Sequence, residues 1–318
     1  MSSKCPEPPP HLYFVVSAVF HYLGPSFAVL LFARVAVLGV AWLRIASAAA
    51  VFALWRRPWG AFRRADGDAR RLLVAWGAVL AVMNCCFYEA IDRLPLGTVA
   101  AIEFLPVIVL AAIGARTARN VGALALAVPG VYLLTDVRLA GEPLGVAFAL
   151  ANAILFAAYI VLAHRVAQRG DLGGIDGLAA AMLIAAVVVC PLGGWEAAPA
   201  FGDPATLLAG VGVGISSSVI PYVSDQLAMR RLPRATYALM VSLLPATATV
   251  VGIVVLAQIP SPVEVAGVAL VIAGIALHRE PTEPTELRHA GRSPALATSD
   301  QRPATTTAAP SAAPHPTE

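Results

Sequence analysis

Ten apolar runs divide this chain, five in each half, and the two halves share a phrase. The first half reads Ala90-Ile91-Asp92-Arg93-Leu94-Pro95-Leu96-Gly97-Thr98 and arrives at Leu105-Pro106. The second reads Ala228-Met229-Arg230-Arg231-Leu232-Pro233-Arg234-Ala235-Thr236 and arrives at Leu244-Pro245. Alanine, Arg-Leu-Pro and threonine recur about 138 positions apart, with a one-residue slip before the second Leu-Pro. Since a helix rises about 1.5 Å per residue, roughly 20 apolar residues cross the hydrocarbon of a bilayer. The runs predict spans over 12–32, 36–55, 71–91, 95–115, 119–136, 143–163, 175–195, 205–227, 235–257 and 261–278. Charged residues make up 13% of the chain, and soluble domains need about 25% to clothe a water-facing surface. The expected fold is an all-α integral membrane protein, ten transmembrane helices arranged as two inverted five-helix repeats over 12–136 and 143–278. Many secondary carriers have this architecture, because a pseudo-symmetric pair can rock about a central site.

The placement of arginine orients the chain. One set of alternate joints holds six arginines between Arg56 and Arg71, then Arg116 and Arg119, Arg165 and Arg169, and Arg230, Arg231 and Arg234. The other set holds Arg34, Arg93 and Arg138. The positive-inside rule puts the rich set, the short N-terminus 1–11 and the C-terminus of this multi-pass chain in the cytoplasm. The Arg-Leu-Pro joint then faces outward in the first half and inward in the second, which an odd number of spans per repeat requires. The segment 281–318, rich in Pro, Thr, Ala and Ser and without apolar periodicity, reads as a disordered cytoplasmic tail. Pro25, Pro106, Pro129, Pro221 and Pro245 lie within the expected spans and predict kinks or breaks there.

Several kinds of chemistry find no support. Cys5, Cys85, Cys86 and Cys190 lack metal-ligand spacing and read as helix-packing residues. There is no phosphate loop, no zinc-spaced His and Glu pair and no Gly-x-Ser-x-Gly elbow, so nothing suggests an enzyme or a cofactor. A net charge of +3 gives no reason to expect nucleic acid. The expected partners are a small-molecule substrate, a proton and membrane lipids, and the oligomeric state stays open.

An ionised side chain at mid-bilayer costs about 2.5–3.5 kcal/mol on insertion scales, so each one needs a reason. Arg44 falls near the middle of the second span and Glu103 in the centre of the fourth. One reading is a central cavity in which Arg44 clamps a substrate carboxylate and Glu103 holds an ammonium group or a proton. A planar guanidinium binds a carboxylate bidentately and does not deprotonate. A buried carboxyl suits proton exchange because burial penalises its charged form. The other reading is that Arg44 and Glu103 pair with each other or with helix ends and hold the bundle together. Glu89 is a second candidate for proton coupling, although Glu89, Asp92 and Asp225 lie near enough to the interfaces to serve as anchors. His21, one turn after Ser17, is a relay or a packed histidine. Asn152, Phe156 and Tyr159 share a helix face, as do Ser218, Tyr222 and Asp225, and Tyr237 lies near Ser242. Asn152, Tyr159, Tyr222 and Ser242 are candidates to line the cavity, with interhelical hydrogen bonding as the alternative. Gly210, Gly212 and Gly214 predict close helix approach within the bundle.

These stretches resemble the drug/metabolite transporter superfamily, specifically the EamA-type ten-helix carriers, and among them most closely the inner-membrane threonine/homoserine exporters. The resemblance rests on Leu38 to Arg44 with Trp55-Arg56-Arg57-Pro58-Trp59, and on Phe87 to Ile91 running through Pro95-Leu96-Gly97-Thr98 to Ile102-Glu103-Phe104. In the second half it rests on Ser217 to Tyr222, Leu227 to Pro233 and Met240 to Ala246. It implies proton-driven export of small amino acids or related metabolites. Three departures bear on mechanism. The usual Glu-Phe-x-Gly-Pro lacks its glycine at Glu103-Phe104-Leu105-Pro106, the acid of Ser-Leu-Glu-Pro-Ala is Leu244, and the Gly-Glu that closes the ninth span is Ala257-Gln258. The same scaffold with another cargo (a drug, nucleobase or dipeptide) and a non-transporting membrane scaffold are the alternatives.

Overall fold

The computed structural model describes residues 10–114, 117–139, 141–167, 169, 174–224 and 243–277. Among them all regular structure is helical: α1 (Pro10–Leu31), α2 (Val37–Arg56), a short α3 (Trp59–Arg64), α4 (Gly67–Arg93), α5 (Leu96–Gly114), α6 (Ala118–Leu139), α7 (Pro143–Ala167), α8 (Gly174–Val189), α9 (Pro204–Gly214), α10 (Leu244–Leu256) and α11 (Pro262–Leu277). Six stretches are long and apolar enough to cross a membrane: Leu12–Leu31, Val37–Arg56, Gly67–Arg93, Pro143–Val166, Ile175–Gly194 and Pro204–Ser224. Four shorter apolar ones follow the same pattern: Leu96–Pro106, Ala118–Leu134, Leu244–Leu256 and Pro262–Leu277. These ten coincide with the ten expected spans. The start of the ninth span, the segment 281–318 and residues 1–9 lie outside the described residues. Helices are what such runs must form in lipid, where each backbone polar group has to be satisfied within its own segment.

The helix ends carry local signals. Asp66 caps α4 by accepting from Ala69 N at 2.6 Å, and Asp203 caps α9 by accepting from Ala205 N at 3.1 Å. Ser261-Pro262-Val263-Glu264 forms a capping box on α11. Ser261 N donates to Glu264 Oε2 at 2.9 Å, Glu264 N donates to Ser261 Oγ at 3.3 Å, and Pro262 fills the first turn, where its missing N–H costs nothing. Pro245 likewise sits in the first turn of α10, so it starts the described helix where the sequence suggested an interior break. Pro25, Pro106 and Pro129 lie inside helices that continue past them.

The packing follows a half-to-half exchange. α2 packs on α8, α5 on α10 and α6 on α11, pairs that the exchange maps onto themselves. The α4–α8 contact has its counterpart in α2–α9, and α5–α7 in α10–α1. Joints that alternate crossing assigns to one side of the membrane also meet. Arg34 approaches Asp203 at 3.6 Å and Gln258 reaches Leu96 at one end, while Arg56 pairs with Asp176 at 2.7 Å and Arg169 with Asp66 at 3.3 Å at the other.

Two π-helical turns interrupt the α-helical pattern, Cys190–Gly194 after α8 and Ile215–Val219 after α9. The second carries three consecutive serines and runs into Pro221. Gly210 and Gly214 let α9 lie directly on α2: a Cβ at Gly214 would fall 2.7 Å from the carbonyl oxygen of Arg44. The expected close approach is therefore inside the bundle, and it brings the serine turn beside the middle of α2.

Candidate functional site

Arg44 lies on α2, 7% exposed, facing the serine turn. Its Nε donates to Ser218 Oγ at 3.1 Å and its Nη2 to the carbonyl of Ser217 at 3.3 Å. Pro221, four residues on, has no N–H to return to that carbonyl. The guanidinium carbon stands 5.4 Å from the centre of the Tyr88 ring, within cation–π range. Among the described residues no carboxylate comes within ion-pair distance of Arg44.

Glu103, also 7% exposed, projects from α5. Asn152 on α7 donates Nδ2–H to its Oε1 at 3.2 Å. Arg44 lies within electrostatic reach of Glu103 but not in contact with it, so the two charges are neighbours and not an ion pair. Tyr22 of α1 is in reach of Glu103 as well, and His21 beside it is in reach of Arg44 and meets the Tyr22 ring edge-on at 5.2 Å. The Tyr88 hydroxyl is directed toward Arg44 and Ser217 without achieving hydrogen-bond geometry. Three buried polar atoms around these charges, Tyr22 OH, Tyr88 OH and Asn152 Oδ1, have no hydrogen-bond partner among the described residues. Each costs about 1–3 kcal/mol if left without a partner, so the cluster has unused polar capacity beside its two ionisable groups.

The other candidates lie as follows. Glu89 accepts from Arg93 Nη1 at 2.6 Å one turn along α4, and Arg93 also lies over the Phe148 ring. Asp92 stands 3.6 Å from the same Arg93 nitrogen. Tyr159 stacks on Phe156 at 6.3 Å and leans on Trp76 at 5.7 Å, while Phe156 meets Phe104, the neighbour of Glu103, edge-on. Tyr222 packs on the same apolar cluster as Phe156 and Tyr159. Ser17 donates to the carbonyl of Pro221 at 3.3 Å, tying α1 to the end of the serine turn. Ser242, Tyr237 and Asp225 lie outside the described residues. Thus Arg44, Glu103 and Asn152 come together, joined by Ser217, Ser218, Tyr22 and Tyr88. Ser218 was visible in the sequence and so was Pro221, although the backbone stays helical through Pro221 to Ser224, whereas an apolar span gives no sign of which tyrosine turns inward.

The model of the EamA-like transporter family matches residues 143–279, the second half. The threonine/homoserine exporter RhtA of Escherichia coli K12 is 30% identical over 256 residues, covering 79% of this chain and 84% of that protein. The chain belongs to the EamA-like transporter family. RhtA of Salmonella typhimurium LT2 is 29% identical over 289 residues, 87% of this chain and 95% of its own length. A solved crystal structure sharing 20% identity superimposes with a TM-score of 0.53 over 84% of this chain and 96% of that one, which supports the fold.

Family membership gives the departures in the second half a structural meaning. Gln258 Oε1 accepts the backbone N–H of Leu96 at 3.1 Å and so caps α5, a task that an amide oxygen performs as well as a carboxylate. Leu244, in the first turn of α10, packs against the main apolar cluster. A further buried acid, Glu264, was not among the expected site residues; its Oε1 accepts from the Thr98 hydroxyl at 3.4 Å. The Ser-x-x-Glu spacing was the signal that could have found it.

Proposed function

We propose that this member of the EamA-like family is a secondary active carrier of a bacterial plasma (inner) membrane. It exports small amino acids of the threonine/homoserine kind, or related zwitterionic metabolites, by proton antiport. The names of its relatives support the cargo class. The observation that carries the reading is the separation of the two buried ionisable groups: Arg44 is held by a serine hydroxyl, a serine carbonyl and a tyrosine face, and Glu103 by an asparagine amide. A guanidinium and a carboxyl that neighbour each other without pairing match the two charged ends of an amino acid. Arg44 takes the substrate carboxylate, displacing the Ser217 carbonyl. Glu103 takes either the substrate ammonium or a proton, and that competition for one carboxylate gives exchange. The hydroxyls of Tyr22 and Tyr88 and the Asn152 oxygen meet the remaining polar groups of the cargo, while Tyr159 and Tyr222 belong to the aromatic wall nearby. The halves 12–136 and 143–278 move against each other about this cluster, with both termini in the cytoplasm.

Purified protein in liposomes with an imposed pH gradient tests this directly. Gradient-driven flux of labelled threonine or homoserine is expected in wild type and absent in Glu103→Gln. Arg44→Lys is expected to weaken amino acids far more than their amides, which lack the carboxylate. Undiminished gradient-driven flux in Glu103→Gln would sink the coupling role, and equal loss for acid and amide would reduce Arg44 to a structural strut.

A further inference from the structure

A groove of about 480 Å³ runs between α1 and α9, away from Arg44 and Glu103. Phe27 and Leu30 line it from α1, 44% and 56% exposed, and exposed Ala209 and Gly212 line it from α9. Leu31 and Val213 are its buried lining, and Arg34 and Ser216 mark its ends. We infer that this groove is a phospholipid site: one acyl chain lies along it and the headgroup phosphate rests on Arg34.

The chemistry of the lining selects this occupant. Apolar walls facing outward from a membrane-spanning pair of helices meet hydrocarbon, and a water-soluble anion would gain nothing from Phe27 or Leu30. The cation stands at the joint between α1 and α2, at the membrane boundary where lipid phosphates lie. Arg34 has five N–H donors, its side chain is 66% exposed, and its 3.6 Å approach to Asp203 is outside hydrogen-bond range. The phosphate must take the guanidinium from its ion pair with Asp203, whose oxygens keep the Ala205 N–H and the Thr206 hydroxyl as donors at the start of α9 when it does. A guanidinium so placed suits a phosphate, which it can bind bidentately. A second groove, about 560 Å³ between α1 and α10, lacks this feature, since its lining is aliphatic apart from Thr247. The inner end of the first groove gives the lipid a consequence. Ser216 directly precedes Ser217 and Ser218, the residues that hold Arg44. A chain seated there packs against the turn that positions the guanidinium.

Gly212 permits a clean obstruction, because a Cβ added there meets nothing within 4 Å. The full chain, delipidated in mild detergent, is titrated with palmitoyl-oleoyl phosphatidylglycerol, and bound lipid is counted by native mass spectrometry. One tightly held lipid per chain is expected in wild type, with affinity at least tenfold weaker in both Arg34→Gln and Gly212→Phe. Dioleoylglycerol, which lacks the phosphate, is expected to bind wild type no better than the phospholipid binds Arg34→Gln. Inorganic phosphate alone is expected neither to bind nor to compete. Equal occupancy in the three proteins would overturn the site. Loss in Arg34→Gln with full binding in Gly212→Phe would place the lipid on the surface charge and outside the groove, and would also overturn it. Lipid binding is read without transport, so the outcome stands apart from the cargo and coupling assigned above.

Discussion

A tight crossing of helix on backbone supplies the bundle's most specific test, at Gly24. A Cβ added there would lie 2.4 Å from Ser217 Cβ, 2.6 Å from Ser217 N and 2.7 Å from Ser217 Cα. Carbon atoms pack comfortably at about 3.5–4.0 Å, so α1 and the serine turn must part by roughly 1 Å to admit an alanine. The turn cannot retreat toward α2, because Gly214 already rests there on the Ser47 side chain and the Arg44 carbonyl. α1 must move instead, taking Ser17 Oγ from 3.3 Å beyond bonding range of the Pro221 carbonyl and Tyr22 away from Glu103. Overpacking costs about 1–3 kcal/mol and the lost hydrogen bond about 1 kcal/mol, against a gain of up to about 1 kcal/mol in helix propensity. Gly24→Ala is therefore expected to lose about 1–3 kcal/mol in denaturation of the purified protein, and most of its transport. Gly212→Ala, with the same change in propensity and open space, is expected to be neutral or slightly stabilising. Removing the serine side chain as well should not rescue Gly24→Ala, because two of the three short contacts are to backbone. Equal stability of Gly24→Ala and Gly212→Ala would refute the close crossing and the pinning of the turn.

Two further outcomes follow from the helix caps. Gln258→Leu leaves the Leu96 N–H without its acceptor and is expected to cost about 1–3 kcal/mol, whereas Gln258→Glu keeps the cap and is expected to stay within about 1 kcal/mol of wild type by the same denaturation assay. At Asp203, the Thr206 hydroxyl first and then the Ala205 N–H hold the carboxyl below the usual carboxylate range. A lowered folded-state value means that the cap stabilises at pH above the ordinary carboxylate value and is lost as pH falls through the lowered one. Stability of wild type relative to Asp203→Ala is thus expected to be constant near neutrality and to vanish on strong acidification, and a difference that grows in acid would contradict the cap.

The ten spans were legible because bilayer thickness leaves a long, unbroken apolar signal, and the ends of Val37–Arg56 and Pro143–Ala167 fall within a few residues of the sequence expectation. Arg44 and Glu103 stood out for the same reason, as polar groups in an expensive place. Their partners did not. Whether Arg44 meets Glu103, a helix end or the Ser217 carbonyl depends on how α2 is rotated against α9, and the apolar pattern of a buried helix has no face to fix that rotation. Tyr22 and Tyr88 were silent on the same ground. The π turn at Ile215–Val219 has only its flanking proline as a sign, and Pro25 and Pro129 show that a proline within a span need not interrupt the helix. Gln258 looked like a lost acid in sequence, yet its amide oxygen works as an acceptor, so the change of charge did not remove the contact.

The arrangement of anchors has a mechanical implication. Arg44 and Glu103 both belong to the first half of the chain, and their hydrogen-bond partners Ser217, Ser218 and Asn152 all belong to the second. Each of these bonds crosses between the halves, as does the Ser17 link to Pro221. Any motion of one half against the other must stretch them. Hydrogen bonds to charged groups are worth about 1.5–3 kcal/mol each, so breaking the two at Arg44 without replacement would oppose the motion by several kcal/mol. Under the proposed function, a bound carboxylate takes the place of the Ser217 carbonyl at the guanidinium, and a proton or ammonium on Glu103 weakens its contact with the Asn152 donor. In this geometry the ligand substitutes for the bonds that hold the halves in register. Under the proposed function, the empty cluster is the one in which the inter-half bonds are intact, and those bonds oppose movement without cargo.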